Sequence, residues 1–146
     1  MTVNLMTDGL PLPIDSQLVT ILTKHMEEAL LKPNAPIKVN AITLNFRDPD
    51  YSPESGGYHP VEIRLTHRNG GWHFDYITDF SYVGSGWNVE LAKELDFDFG
   101  HDLCMTRYLP DVPLAESLEL YQLFESNFIS YYQMDAFPSV EVSLES

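Results

Sequence analysis

The sequence predicts a single α+β domain, an antiparallel sheet of four to five strands with a long N-terminal and a long C-terminal helix packed on one face. Three observations predict it. Apolar residues recur at helical spacing toward both ends, they alternate with polar residues in between, and two alternating runs are joined by Asn69-Gly70-Gly71. No βαβ rhythm, internal repeat or linker divides the chain, so the domain spans residues 1–146, with 1–13 as an N-terminal coil.

The first helix begins at Asp15-Ser16, both good N-cap residues, behind Pro13. Leu18, Leu22, Met26 and Ala29 form its apolar stripe, and it ends near Lys32 because Pro33 disfavours helix at the residue before it. From Ile37 to Phe46, Ile42, Leu44 and Phe46 alternate with Thr43 and Asn45 as a first strand. Val61, Ile63 and Leu65 alternate with Glu62, Arg64 and Thr66 as a second. The Asn-Gly-Gly turn supplies the left-handed backbone of a tight hairpin, leading into a third strand from Trp72 to about Val83. Strict alternation there puts Trp72, Phe74, Tyr76, Phe80 and Tyr82 on one face, and Asp75 and Asp79 together on the other.

After Gly84-Ser85-Gly86, Trp87 to Leu95 reads as a short helix with Val89, Leu91, Ala92 and Leu95 as its apolar positions, followed by a short strand at Asp96–Phe99. His101 to Pro113 reads as loop. The last long helix runs from Pro113-Leu114 to about Gln133 with Leu114, Leu118, Tyr121, Leu123, Phe124, Phe128 and Tyr132 as its stripe, and Val140, Val142 and Leu144 close the chain as a strand.

Composition narrows the function. A chain of 146 residues, 44% hydrophobic, buries about 70% of its unfolded surface and needs no staples. The one cysteine, Cys104, excludes an internal disulfide and reads as a small buried hydrophobe. Met1 to Leu12 has no basic region or long apolar run, and no stretch matches a membrane span, so a cytoplasmic protein is expected. The formal charge of −14 is uneven: Met1–His73 holds 8 acids against 6 bases, Phe74–Ser146 holds 14 against 2. That field argues against direct binding to nucleic acid or to anionic lipid. It serves solubility, a basic partner, or mimicry of a nucleic-acid backbone.

Three places offer chemistry. Arg47 to His59 joins two strands through thirteen residues, where a hairpin needs two to five, and carries Arg47, Asp48, Tyr51, Glu54, Tyr58 and His59. Its prolines and Gly56-Gly57 also suit an ordinary turn-rich loop packed down by its aromatics. The third strand carries Asp79 and Tyr82, whose carboxylate and hydroxyl need partners wherever they are buried. Glu94, Asp96 and Asp98 with His101 and Asp102 place oxygens at alternate positions, but the spacing does not fit a calcium-binding helix–loop–helix. The five histidines show no paired spacing, so no metal and no cofactor are expected. A phosphate-binding glycine loop and a nucleophile elbow are missing.

Taken together, Leu44-Asn-Phe-Arg-Asp48, Gly56-Gly-Tyr-His-Pro-Val-Glu-Ile-Arg64, Tyr76-Ile-Thr-Asp-Phe-Ser-Tyr-Val-Gly84, Glu94-Leu-Asp-Phe-Asp98 and Asn127-Phe128 resemble one family, the bacterial family catalogued as domain of unknown function 2787. The resemblance runs from about Ile42 to Val142 and leaves the first helix outside its motifs. It implies a small bacterial α+β domain and brings no activity, cofactor, partner or catalytic residue. The leading expectation is a non-enzymatic binding or adaptor module using the 47–59 loop and adjoining sheet. Its partner would be a protein, a small ligand or a second copy of the chain, contacted through Arg47, Asp48, Tyr51, Tyr58, His59, Asp79 and Tyr82. One alternative is a small enzyme with His59 as acid–base oriented by Asp79 or Asp48, which requires His59 within hydrogen-bond reach of a carboxylate. The other is an acidic nucleic-acid mimic, which requires carboxylates in rows on one face.

Overall fold

A computed structural model describes residues 2–146. The elements follow as β1 (Leu5–Met6), α1 (Ser16–Leu30), β2 (Ala41–Arg47), β3 (Val61–Arg68), β4 (Gly71–Val83), β5 (Glu90–Asp98), β6 (Leu103–Thr106), β7 (Val112–Pro113), α2 (Leu118–Gln133) and β8 (Ser139–Glu145). Single 3-10 turns at Gly86–Asn88 and Leu114–Ser117 lead into β5 and α2. One sheet takes the order β7-β6-β5-β4-β3-β2-β8, antiparallel along this path. β1 pairs parallel with Trp72–His73 of β4, short of the Tyr76–Val83 stretch that β5 occupies.

The sheet therefore has eight strands among the described residues, not the four to five expected, while the α+β character holds. The strands beyond that number are β1, β6 and β7. β1 and β7 are two residues long and β6 four, too short for a period to register. β5 continues the expected strand at Asp96–Phe99 back to Glu90, through a stretch that reads as a short helix because its alternation is broken midway. Leu95 pairs with Asp79 and Lys93 with Phe80, so Glu94 is an unopposed bulge residue. Either side of it the apolar positions fall out of step, and their spacing imitates a helical stripe.

A second bulge corrects β4. Leu65 pairs with Phe74 and Arg64 with Tyr76, leaving Asp75 unopposed and reversing the faces beyond it. Trp72, Phe74 and then Ile77 are buried, and Asp79 and Ser81 follow Ile77 inward. Tyr76 turns outward to donate its hydroxyl to Glu62, and Asp75 accepts from Arg64 Nη1 at 2.6 Å. The single aromatic face and the shared face of Asp75 and Asp79 are both replaced.

α1 forms where its cap and stripe place it, whereas α2 begins at Leu118, after a 3-10 turn over Leu114–Ser117 where the sequence predicts its first turn. Asp15 Oδ1 accepts from the Gln17 N–H at 2.7 Å, and α1 buries Leu18, Ile21, Leu22, Met26 and Ala29. α2 buries Tyr121, Phe128 and Ile129, whereas Leu118 and Leu123 of the expected stripe are exposed. Both helices cover the same face. Phe46 of β2 meets His25 of α1 edge-on at 5.9 Å and Phe128 of α2 at 5.0 Å. Ile42, Leu44, Val61, Ile63 and Leu65 fill the same layer at 3% exposure or less. Each such side chain contributes about 1.5–3 kcal/mol on burial. This face positions the site, because Asp79 and Ser81 continue it past the apolar floor.

Candidate functional site

The loop from Asp48 to Pro60 is held by its own polar groups. Asp48 accepts from the Asp50 N–H at 3.0 Å and, through its other oxygen, from the Tyr58 N–H at 3.0 Å. Ser52 and Gly56 close the tip with a reciprocal pair of backbone bonds at 3.2 and 3.0 Å. Gly57 has a φ of 135°, and a Cβ there would lie 2.8 Å from Asp48 Oδ2 and 3.0 Å from Tyr51 Cα, so only glycine passes beneath the carboxylate. Tyr51 stacks on Tyr82 at 5.0 Å, accepts from the Tyr82 N–H at 3.2 Å, and tilts against His59 at 5.5 Å. Pro60 biases His59 toward extended backbone and accepts from the Phe80 N–H at 3.0 Å, which fixes the loop exit on β4.

His59 is thereby set over the two strands. Its Nδ1 lies 3.3 Å from Asp79 Oδ2 and 3.3 Å from Glu94 Oε2. Asp79 Oδ1 accepts from the Leu95 N–H at 2.9 Å. Glu94 Oε1 accepts from Ser81 Oγ at 3.1 Å, and Ser81 Oγ in turn accepts from Arg107 Nη1 at 2.7 Å. The Arg107 guanidinium also bonds the Ala92 and Lys93 carbonyls at 2.8 and 3.0 Å, stapling β5 at its bulge. The hydrogen bond to Asp79 and the nearby carboxylates of Asp79 and Glu94 push the His59 pKa up, against burial and Arg107.

Of these polar groups, His59, Asp79 and Glu94 line a cavity of about 370 Å³. The rest of its lining is largely aromatic: Tyr58 from the loop, Phe124, Phe128 and Tyr131 from α2, and Phe137 from the turn before β8, with Asn127 among them. Tyr58 and Tyr131 pack at 4.7 Å, tying the loop to the helix, and Phe128 stacks on Phe137 at 5.5 Å.

Of the residues singled out in the sequence, Tyr58, His59, Asp79 and Glu94 line this cavity. Asp48 and Tyr51 shape the loop that carries Tyr58 and His59, Tyr82 of β4 stacks on Tyr51, and Arg47 ends β2 with an exposed side chain outside the lining. The alternate carboxylates of β5 do not act together. Asp96 accepts from Thr78 at 2.7 Å and Asp98 holds His101 at 2.9 Å, while the bulge turns Glu94 to the opposite face. Ser81 and Arg107 were missed because nothing in a run of sequence pairs them. Of the aromatic wall, Phe124 and Phe128 belong to the expected core stripe of the last helix, whereas Tyr131 and Phe137 fall outside it.

An open antiparallel sheet, helices on one face and a ligand-sized groove at the end of that face define the scaffold. The chain belongs to the family described as protein of unknown function, DUF2787, whose model matches residues 17–143. That span takes in α1, which the sequence motifs did not reach. Two solved structures from Vibrio cholerae are similar along nearly their whole length. One is a hypothetical protein of the VSP-II pathogenicity island, 32% identical over 94% of this chain and 99% of its own, with a TM-score of 0.80. The other is a conserved hypothetical protein of the VPI-2 island, 37% identical over 95% and 99%, with a TM-score of 0.75, and is described as sharing structural homology with the human P32 protein. No curated protein matches the chain.

Proposed function

We propose that this chain is a binding module whose recognition site is the groove between the Asp48–Pro60 loop, α2 and the inner face of β4 and β5. One observation carries the reading: an aromatic wall and a convergent polar group share a single cavity of about 370 Å³, a volume within the range of small-molecule sites. The wall takes a flat or apolar body, and His59, Asp79, Glu94 and Asn127 fix one polar head. Much of the lining is preformed, since Asp79, Phe128 and Phe137 are each under a tenth exposed.

The acid–base alternative has its hydrogen bond, His59 to Asp79, but neither the family nor the relatives bring an activity to it. Nor does the charge favour a nucleic-acid mimic. The acids of the second half are spread over β4, β5, α2, β8 and the turns between them, and three strands separate β5 from β8. No helix among the described residues is long and apolar enough to cross a membrane.

The test is an amide-shift screen of the labelled chain against small aromatic amines and aromatic carboxylates. Binding at the groove moves the amides of Gly57–His59, Leu95, Asn127 and Tyr131 together, and Asn127→Ala weakens it. A screen that moves none of them, or moves only residues elsewhere, defeats the reading.

A further inference from the structure

We propose that His59 Nδ1, Asp79 Oδ2 and Glu94 Oε2 are a three-donor site for one divalent cation of the zinc class, with the fourth position open to the groove. The inference goes beyond the binding reading and stands without it, because a cation held at this end needs no ligand on the aromatic wall.

Geometry carries it. The three donor atoms lie within 4.8 Å of one another, and the imidazole nitrogen is 3.3 Å from each carboxylate oxygen. In a tetrahedral site with bonds of about 2.0–2.1 Å, neighbouring donors stand about 3.3 Å apart. The same 3.3 Å is long for a charge-assisted N–H···O bond, which closes to about 2.7–2.9 Å. His101 and Asp98 show the closer contact on this same molecule, at 2.9 Å.

The surrounding bonds are those that orient ligands. Each carboxylate has one oxygen held by the protein and the other turned to His59: Asp79 Oδ1 by the Leu95 N–H at 2.9 Å, Glu94 Oε1 by Ser81 at 3.1 Å with Arg107 Nη1 3.9 Å away. Outer bonds of this kind fix ligand direction, and losing one costs about 10–100-fold in metal affinity. A neutral imidazole and two carboxylates offer two negative charges to a dication. One nitrogen and two oxygens suit zinc or its first-row neighbours, and they are too few oxygens for calcium. The side chains of His59 and Glu94 are 36% and 39% exposed, so the fourth position opens toward water and the groove. No paired histidine spacing announced the site because its donors come from a loop end and two different strands.

The experiment is calorimetric titration of the chelator-stripped full chain with zinc chloride, with magnesium chloride as comparison. One equivalent of zinc is expected to bind and magnesium is not. Glu94→Gln and His59→Ala each weaken zinc by tenfold or more while leaving the thermal transition of the stripped protein in place, and His101→Ala leaves zinc affinity unchanged. Cobalt substitution gives the absorption of a tetrahedral site, lost in Glu94→Gln. Absence of stoichiometric zinc binding overturns the proposal, as does zinc binding that survives Glu94→Gln or disappears with His101→Ala. Fragment binding to the groove in zinc-free protein separates the two readings: it persists if only the cation site is wrong, and fails with zinc still bound if only the groove is wrong.

Discussion

Asp79 and Glu94 sit on neighbouring strands, outside direct register, and turn their carboxylates to the same imidazole nitrogen at 3.3 Å each. The pairing jumps from Asp79–Leu95 to Phe80–Lys93, and the residue left over is Glu94. Without the bulge, strict alternation would send Glu94 to the face opposite Leu95, with Asp75 and Arg64. One extra residue in β5 thus brings a second carboxylate to the inner face.

The loop that delivers His59 depends on Gly57 more than on its neighbour. Both have positive φ, but a Cβ on Gly56 meets nothing within 4 Å, whereas one on Gly57 meets the Asp48 carboxylate at 2.8 Å. Gly56→Ala is expected to cost about 1 kcal/mol from backbone conformation alone. Gly57→Ala costs up to about 3 kcal/mol, because it also breaks the Asp48 to Tyr58 bond. Urea denaturation ranks the two, and amide shifts at Tyr58 and His59 move only in the second. Equal costs would mean that Asp48 does not seat against Gly57.

Glu125 predicts how stability varies with pH. It is buried on α2, accepting from the Tyr121 hydroxyl at 2.7 Å and from the Asp15 N–H at 3.0 Å, so it ties α2 to the cap of α1. Burial pushes its pKa up, and these two hydrogen bonds offset part of that rise. A folded value above the unfolded one means that stability from this group is complete below the ordinary carboxylate range and is lost as pH rises through the raised value. Glu125→Gln keeps an acceptor oxygen and cannot ionise. Its Tm is expected to match the wild type near about pH 4 and to exceed it at about pH 7–8. Parallel Tm curves across that range would contradict the assignment.

Cys104 on β6 is 1% exposed, and burial raises its thiol above the ordinary value. A thiol reagent at neutral pH is therefore expected to label the native chain at the rate of its opening and the urea-unfolded chain at once. Fast stoichiometric labelling of the folded protein would refute the burial.

How much of this was legible depends on whether a pattern stays in step. α1 was, since Asp15 caps it, Pro33 bounds it and Leu18, Leu22 and Met26 keep its period. The β3–β4 hairpin was, through Asn69-Gly70, both at positive φ. His59 and Asp79 were singled out because an overlong loop ends in one and a strand carries a carboxylate at the other. Glu94 was not assigned to them, because a bulge reverses the faces without changing the letters. Phe124 and Phe128 were read as core, and one face of α2 does both jobs: Phe128 packs on Phe46 and also lines the groove.

Arg107 is where the bulge is most open to attack. Its guanidinium donates to Ser81 Oγ at 2.7 Å and to the Ala92 and Lys93 carbonyls at 2.8 and 3.0 Å, with a further bond from Nε to Lys93 at 3.2 Å. Those carbonyls immediately precede the unopposed residue, where the ladder is interrupted and backbone acceptors need another donor. Arg107→Ala is expected to cost about 2–3 kcal/mol in urea denaturation, since it leaves part-buried acceptors unpaired. Arg107→Lys recovers less than half, because an ammonium supplies the charge without the planar fork that reaches two strands at once. Hydrogen exchange discriminates this from a loss of charge alone. Amides of β5 around Ala92 to Leu95 should open faster in both variants, while those of β2 and β3 keep their protection. Exchange that rises uniformly across the sheet would mean that Arg107 supports the whole fold and does not act through the bulge, and the convergence of Asp79 and Glu94 on His59 would then need another cause.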